Sequence, residues 1–276
     1  MIQSVRHLIA ADIGNSRMKF ARFELRSSPN DLNGQLPDPL DVLSLTPNSL
    51  GGMAAWMKDP VWRNAEIAIG SVQRTRTADA IALLRQCDFA GDIRLLTASD
   101  LPLEIDLPFP DRVGIDRLLA AVASNQLRES HVPAAIVDLG TAITVDLVSA
   151  QGVYLGGAIA PGVGLAAGAL HQATDLLPEF DLAALDETID PIGRDTVSAM
   201  KSGLFLGAVG TIRELVARQL ESQTVSDVRG SGDAAARIFV CGGFGERVAH
   251  LLSPQAAYIP HLIPQGIAVA MRGLAQ

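Results

Sequence analysis

Two short segments of the chain place an aspartate where an apolar run ends in a glycine turn. They span residues 8–19 and 135–146, and in each an aspartate (Asp12 or Asp138) is followed by one apolar residue, a glycine and a small polar residue. A second strand-like run comes next. Glycine allows the tight turn and lets a phosphate approach the backbone amides, while the carboxylate can face a cation. Two such turns facing each other could hold a nucleotide and its cation.

An Asp-x-Gly sequence is also a common hairpin turn that carries no chemistry. One copy alone leaves both interpretations open. Two copies in matching contexts favour a functional site, because internal repetition indicates that the same structural unit is used twice.

The composition suits one large or two medium domains. The chain has 276 residues, of which 48% are hydrophobic and only 4% aromatic, so the core must consist mainly of Ala, Leu, Ile and Val, as in α/β layers. The formal net charge is -8, and no block of Lys and Arg occurs. These features argue against nucleic acid or an anionic membrane as the main partner.

The cysteines and the apolar segments favour a cytoplasmic protein. Cys87 and Cys241 are far apart and lack CxxC spacing, so neither a disulfide framework nor a zinc site is predicted. The first apolar run meets Asp12 at once, unlike a signal peptide. The uncharged segment 155–170 is short and interrupted by Pro161 and several glycines, which predicts a strand, a turn and a helix instead of a membrane span.

Apolar periodicity predicts a similar order of strands and helices in the two halves of the chain. In the first half we expect strands at 8–11, 18–25, 42–45, 66–72 and 92–97, with helices at 54–58 and 77–87. In the second we expect helices at 115–129, 165–174, 195–219, 244–252 and 265–272, strands at 134–138, 143–148, 153–158, 237–241 and 257–259, and loops at 156–162 and 222–235. This order predicts a duplicated α/β fold with a cleft between the copies, divided into residues 1–115 and 116–276.

Other nucleotide-binding motifs fit less well. A Gly-x-x-x-x-Gly-Lys-Ser/Thr sequence is missing, which excludes a P-loop fold. Gly162, Gly164 and Gly168 form only a loose dinucleotide fingerprint, without the acidic residue expected at the next strand end. The five histidines lack metal-ligand spacing, and no Gly-x-Ser-x-Gly elbow occurs. The remaining combination, two Asp-x-Gly turns and Gly242-Gly243 after a late strand, resembles the phosphate 1, phosphate 2 and adenosine motifs of the actin-like ATPase and sugar-kinase superfamily.

Within that superfamily the chain resembles the type III pantothenate kinases over almost its whole length. Their Asp-Ile-Gly-Asn-Thr-x-x-Lys box has its counterpart in Asp12, Ile13, Gly14, Asn15, Ser16, Arg17, Met18 and Lys19. Their Gly-x-Asp-Arg substrate motif has its counterpart in Gly114, Ile115, Asp116 and Arg117. Their Asp-x-Gly-Thr-Ala and Cys-Gly-Gly sequences correspond to 138–142 and 241–243. Each motif is weak alone, but their common order makes the resemblance specific.

The resemblance implies a ribonuclease H-like (actin-like ATPase) fold in both halves. It also implies phosphorylation of the 4′-hydroxyl of pantothenate by ATP, which is the first committed step toward coenzyme A. Asp116 would then be the general base. Residues 12–19 and Thr141 would bind ATP, with Asp12 near Mg²⁺.

The remaining implied roles concern the acceptor, a second cation and the assembly. The pantothenate site would comprise Gly114–Arg117 and Thr196, and Asp138 would bind a monovalent cation, K⁺ or NH₄⁺. We expect Arg117 to lie close enough to help neutralise the pantothenate carboxylate. Similar proteins are homodimers, and the apolar, helix-rich second half could provide the interface.

The chain departs from the family pattern at three positions. Leu107 replaces a tyrosine that often precedes the substrate motif, which leaves the shape of the pantothenate pocket open. Asp195 replaces the usual asparagine before Thr196 and adds a charge. Ser16 replaces threonine and keeps the hydroxyl.

Two other functions remain open. Members of this family have been described as accessory factors for transcription, so a non-catalytic protein of the same fold is one alternative. A kinase for another small acid or sugar is the second. The intact Asp12, Lys19, Asp116 and Asp138 favour catalysis, and the Gly-x-Asp-Arg motif favours pantothenate.

Overall fold

The chain forms two compact units in a computed structural model. The structure describes residues 5–26, 34–46, 51–179, 185, 188–226 and 236–274. The first unit comprises Met1–Ser130, Ala150–Leu155 and His261–Gln276, and the second comprises His131–Ser149 and Gly156–Pro260.

A five-stranded sheet forms the centre of the first unit. Its strands are β1 (Val5–Ile13), β2 (Met18–Arg26), β3 (Asp41–Leu45), β4 (Glu66–Ser71) and β5 (Ile93–Leu95). They lie in the order β3-β2-β1-β4-β5. The central strand β1 runs antiparallel to β2 and parallel to β4. Leu8–Ala11 are completely buried, because a strand inside a layered α/β unit is covered on both faces.

Helices pack on this sheet. They are α1 (Gly52–Trp56), α2 (Pro60–Arg63), α3 (Arg74–Gln86), α4 (Ile115–Leu127) and, from the end of the chain, α8 (Leu262–Gly273). Ile9, Ala11 and Ile13 belong to one core cluster with Met53 of α1 and Leu84 of α3. Helices α4 and α8 pack against each other and against the sheet.

The contact between α4 and α8 requires Gly266. A Cβ atom at this position would lie 2.0 Å from the carbonyl oxygen of Leu119, which belongs to the backbone of α4. Steric overlap with a backbone atom cannot be relieved by a side-chain rotation, so the two helices would have to move apart.

Gly266→Ala is therefore expected to destabilise the chain by about 1–3 kcal/mol. The melting temperature measured by calorimetry should fall by roughly 2–4 °C per kcal/mol. Gly273→Ala, at the exposed end of the same helix with no heavy atom within 4 Å of the added methyl group, is the control and should leave it nearly unchanged. Equal melting temperatures for the two variants would contradict the packing of α8 on α4.

The sheet of the second unit repeats the first. Its strands are β6 (Ala134–Leu139), β7 (Ala142–Val148), β8 (Tyr154–Pro161), β9 (Arg237–Gly242) and β10 (Ala256–Tyr258). Their order is β10-β9-β6-β7-β8, and the central strand β6 again runs antiparallel to the strand that follows it and parallel to the next neighbour, β9. This repeated topology confirms the predicted duplicated α/β fold of the ribonuclease H-like type. The predicted cleft between the two copies stays a prediction.

The described residues of the second unit form three helices: α5 (Val163–Gln172), α6 (Thr196–Ser226) and α7 (Gly245–Leu252). Helix α6 buries Met200, Val209, Ile212 and Val216, whereas Val197 is 42% exposed. The helix continues to Ser226, past its predicted end at 219, and the rest of the loop predicted at 222–235 lies outside the described residues.

The predicted loop at 156–162 was wrong, because β8 continues to Pro161. The glycines of this segment are typical of a turn, which is why a loop was predicted. A Cβ at Gly157 would lie 2.1 Å from the carbonyl oxygen of Val145 on the adjacent strand, so this glycine permits a close approach of two backbones. Gly156 has φ +95°, a conformation that other residues rarely adopt.

The division into residues 1–115 and 116–276 stays a prediction for the two duplicated halves. The compact units have different bounds, since α4 and α8 both lie with the first sheet. Among the helices of the described ranges, none is both long and apolar enough to span a bilayer.

Candidate active site

The first Asp-x-Gly turn closes the hairpin of β1 and β2. Asp12 lies directly opposite Lys19 in this antiparallel pair, and the amide of Gly14 donates to the carbonyl of Arg17 across the turn at 3.0 Å. Asp12 and Lys19 are half-buried, whereas residues 15–17 are exposed. The hairpin therefore holds a carboxylate and an ammonium group side by side, next to exposed turn residues that a phosphate could reach.

The start of α4 lies near the carboxyl ends of β1 and β4, beside the hairpin turn. Asp12 is in register with Gly70 of β4, and a Cβ at Gly70 would lie within 3.8 Å of Ile115 and 2.5 Å of Leu119, both on α4. Val72, just past β4, donates its amide to Ile13 at 3.3 Å. The same residue is a neighbour of Gly114, since a Cβ built at Gly114 would lie 3.5 Å from a Val72 methyl group. The fold thus brings the hairpin turn and the Gly-x-Asp-Arg motif to one end of the first sheet, where β1 and β4 end.

Asp116 lies in the first turn of α4 with its carboxylate folded back over the helix start. Its Oδ1 accepts a hydrogen bond from the amide of Arg117 at 2.9 Å. A Cβ at Gly114 would be only 2.5 Å from that oxygen, so glycine at this position leaves room for the carboxylate. The first turn of α4 places this carboxylate at the positive end of the helix dipole.

The second Asp-x-Gly turn joins β6 and β7 in the second unit. Asp138 is in register with Thr144 and is half-buried, while Thr141 is exposed in the turn. The amide of Gly140 donates to the carbonyl of Ala142, two residues later, at 3.0 Å, whereas Gly14 donates to Arg17, three residues later. Both turns close an antiparallel hairpin after an aspartate, but the first loop is one residue longer than the second.

Two further glycines pack directly on the second turn. A Cβ at Gly162 would lie 2.4 Å from the carbonyl oxygen of Thr141, and one at Gly242 would lie 2.4 Å from that of Leu139. The amide of Gly162 donates to Thr141 at 3.1 Å, and that of Gly243 donates to Leu139 at 3.0 Å. These glycines, which sequence analysis noted only as motif residues, are required for close backbone packing.

Comparison with known proteins decides the family. Residues 8–218 match the family model described as type III pantothenate kinase. The chain belongs to this family. The type III pantothenate kinase of Desulfosudis oleivorans is 34% identical over 275 residues, which cover 95% of this chain and 97% of that protein. Its counterpart from Alkalilimnicola ehrlichii is 29% identical over 272 residues, covering 96% and 98%.

A solved structure shares the fold of this type III pantothenate kinase family member. It is a protein of Campylobacter jejuni described as a Baf family transcriptional activator, with a TM-score of 0.57 and 19% sequence identity. The match covers 97% of this chain and 98% of that one. At this identity the likeness concerns the fold alone.

Asp195, a departure from the family pattern, acts as a helix cap. Its Oδ1 accepts a hydrogen bond from the amide of Ser198 at 2.9 Å, as an N-cap residue does. The hydrogen bonds from the amide and hydroxyl of Ser198 lower the pKa of Asp195 below its usual value. Asparagine caps helices equally well, so this substitution preserves the local structure beside the exposed Thr196.

Among the described residues, the acidic side chains do not form a preformed metal cage. In the part of the chain that the structure describes, no group of three or more His, Cys, Asp or Glu side chains could hold a metal ion. The half-buried carboxylate of Asp12, beside Lys19, is an oxygen donor of the kind that Mg²⁺ uses together with phosphate oxygens and water.

Proposed function

We propose that the chain transfers a phosphoryl group from ATP to the 4′-hydroxyl of pantothenate, as the first step of coenzyme A biosynthesis. Family membership supports the reaction, and the position of residues 12–19 and 114–117 at the same end of the first sheet supports its site. A coupled assay of ADP release, run with and without pantothenate, tests it. ADP formation that does not depend on pantothenate would contradict the proposal.

Asp116 accepts the proton of the attacking hydroxyl, and the hairpin binds the phosphates. Lys19, together with the amides of the exposed Asn15 and Ser16 and the hydroxyl of Ser16, neutralises and orients the phosphate oxygens, and Gly14 shapes the turn. Phosphoryl transfer needs little covalent help from a protein, so positioning and charge balance supply most of the rate enhancement. When Mg²⁺ is bound, it neutralises charge on the phosphates, and Asp12 is the residue that would hold it, directly or through water.

Arg117 and Thr196 are assigned to pantothenate binding. Arg117 directly follows the base, so a guanidinium at this place is suited to the pantothenate carboxylate. Leu107 is half-buried and offers an apolar contact where a tyrosine hydroxyl is often found. The rate of ADP release measured with a panel of small acids and sugars would show whether the chain phosphorylates pantothenate or another acceptor.

Asp138 is assigned to a monovalent cation, K⁺ or NH₄⁺. Its half-buried carboxylate, at a turn with exposed backbone, has the oxygen donors that such ions prefer. Asp138→Asn is expected to lower the K⁺-stimulated rate roughly tenfold, because one charged partner is lost. The comparison is the ADP-release rate in K⁺ and in Na⁺.

The control for this substitution is Asp175→Asn. Asp175 is an exposed carboxylate of the same unit outside the motifs, and its removal should leave the K⁺ response unchanged. A K⁺ response that persists in Asp138→Asn would refute the assignment.

A homodimer that functions in the cytoplasm is the proposed form of the enzyme. Leu165 and Leu170 of α5 and Leu206 of α6 are exposed apolar side chains of the second unit. Gly203 and Gly207 of α6 are exposed as well, so a second helix could approach closely. Sedimentation analysis would show a particle of twice 29.1 kDa.

A non-catalytic role in transcription is the second candidate. The comparisons do not favour it, because the relatives are named type III pantothenate kinases and the likeness to the Campylobacter jejuni protein concerns the fold alone. A chain that binds ATP but forms no ADP with any acceptor would support this candidate over the kinase.

A further inference from the structure

An exposed aromatic ring lies directly before the Gly-x-Asp-Arg motif. Phe109 is 59% exposed, although large apolar side chains are normally buried. Arg112 lies over its ring, with the guanidinium carbon 4.5 Å from the ring centroid. Cation–π stacking of this kind holds both side chains in place and leaves the rest of the ring accessible. The pair therefore presents an apolar surface and a cation side by side.

The backbone holds this pair in a fixed position. Phe109 lies between two prolines, whose φ angles are restricted. Pro110–Arg112 form a single 3₁₀ turn, in which the amide of Arg112 donates to the carbonyl of Phe109 at 3.1 Å. Upstream, the amide of Asp106 donates at 3.0 Å to the carbonyl of Tyr154, which is completely buried. The loop is therefore anchored to a buried residue three positions before the aromatic ring.

The pair belongs to the backbone turn that precedes the proposed base. Only Val113 separates the 3₁₀ turn from Gly114, the N-cap residue of α4, and Asp116 lies in the first turn of that helix. Arg112 is exposed and Asp116 is half-buried, so a small molecule can contact both from solvent. An acceptor whose hydroxyl meets Asp116 can therefore reach the Phe109–Arg112 pair with its opposite end.

Arg112 has N–H groups available to an anion. Among the described residues its guanidinium forms no ion pair, and its contact is with the ring of Phe109. Stacking uses the flat face of the guanidinium, so the N–H groups at its edge can donate to a carboxylate. Pantothenate carries its 4′-hydroxyl at one end and, at the other, a carboxylate on two methylene groups. This second end matches an apolar ring beside a cation.

We propose that Phe109 and Arg112 are specificity-determining residues that bind the carboxylate end of pantothenate. The ring packs on the two methylene groups, and the guanidinium donates to the carboxylate together with Arg117. A neutral sugar offers neither group, so the pair selects an acid as the acceptor. The inference rests on the proposed function and names the residues that would distinguish acids from sugars.

Calorimetry of pantothenate binding to the full chain, in the presence of Mg·ADP, tests the role of the ring. Phe109→Ala should weaken binding about tenfold, which corresponds to roughly 50 Å² of lost apolar contact. Phe109→Tyr keeps the ring and should bind within about twofold of the wild type. Leu95→Ala is the control, because it removes a similarly exposed apolar side chain of the first unit, and it should bind like the wild type.

A neutral analogue separates recognition of the carboxylate from a merely structural role. Arg112→Met keeps an unbranched side chain over the ring but removes the charge, and should weaken pantothenate binding about tenfold. Binding of pantothenol, in which a hydroxymethyl group replaces the carboxylate, should stay within about twofold. The preference for pantothenate over pantothenol should therefore fall about tenfold. Arg85→Met, at the exposed end of α3, is the control and should keep the wild-type preference.

Wild-type pantothenate affinity in Phe109→Ala would overturn the proposal, as would equal losses for pantothenate and pantothenol in Arg112→Met. Should Phe109→Ala melt at a lower temperature than the wild type, the pantothenol comparison in Arg112→Met decides the question. A wild-type chain that binds pantothenate without phosphorylating it would overturn the proposed function, and the substitutions would still decide the role of the pair. A wild-type chain with no affinity for pantothenate would overturn both.

Discussion

Asp116→Asn should lower the turnover number of the chain by about 10²–10⁴-fold, the usual contribution of a general base. Asparagine is nearly isosteric, and its side-chain oxygen can still accept from the amide of Arg117 at the start of α4. The helix and the neighbouring hairpin should therefore keep their structure. Because residues 12–19 are unchanged, the affinity for ATP should stay within about twofold of the wild-type value. Steady-state kinetics and ATP calorimetry together measure both quantities.

The matched control is Asp111→Asn. Asp111 is an exposed carboxylate five residues upstream, outside the substrate motif, and its removal should change neither quantity. Wild-type turnover in Asp116→Asn would show that another group accepts the proton. A parallel loss of ATP affinity would instead assign Asp116 to nucleotide binding.

Lys19→Met should lower kcat/KM for ATP roughly 10–100-fold. A charge-assisted hydrogen bond contributes about 1.5–3 kcal/mol, and methionine keeps the length of the side chain while removing the ammonium group. Lys19 stands opposite Asp12 in the hairpin, so the loss should also leave that carboxylate without its cross-strand cation. The measurement is kcat/KM for ATP at saturating pantothenate.

Lys58→Met serves as its control. This lysine is exposed and lies after α1, away from the hairpin, and its replacement should have little effect. If the two variants are equally active, Lys19 does not contact the phosphates. If the substitution only raises the KM for pantothenate, Lys19 contacts pantothenate instead of ATP.

The central hairpins of both sheets could be predicted because their signals are local. An apolar run, an aspartate and a glycine within a few residues specify a strand and its turn, as at Asp12 and Asp138. The helix that begins at Ile115 was equally clear from its apolar spacing. Repetition of the Asp-x-Gly turn indicated the duplicated topology, which depends on long-range strand pairing.

Features that depend on distant backbone contacts were not predictable. Glycine in a sequence usually signals a turn. Gly157 instead lies in a strand, where the carbonyl of Val145 leaves no room for a side chain, and Gly266 lies in a helix, where the backbone of α4 leaves none. The short helix α2 was missed as well, although Asp59 caps it and Pro60 begins it.

The central claim is that a carboxylate at the start of α4 activates an alcohol for attack on ATP held by the adjacent hairpin. Mass spectrometry of a reaction containing the chain, ATP, Mg²⁺, K⁺ and pantothenate tests it most directly. We predict 4′-phosphopantothenate in amounts equal to the ADP formed with the wild type, and about 10²–10⁴-fold less product in the same time with Asp116→Asn. ADP without the phosphorylated product, or equal product from both proteins, would contradict the account.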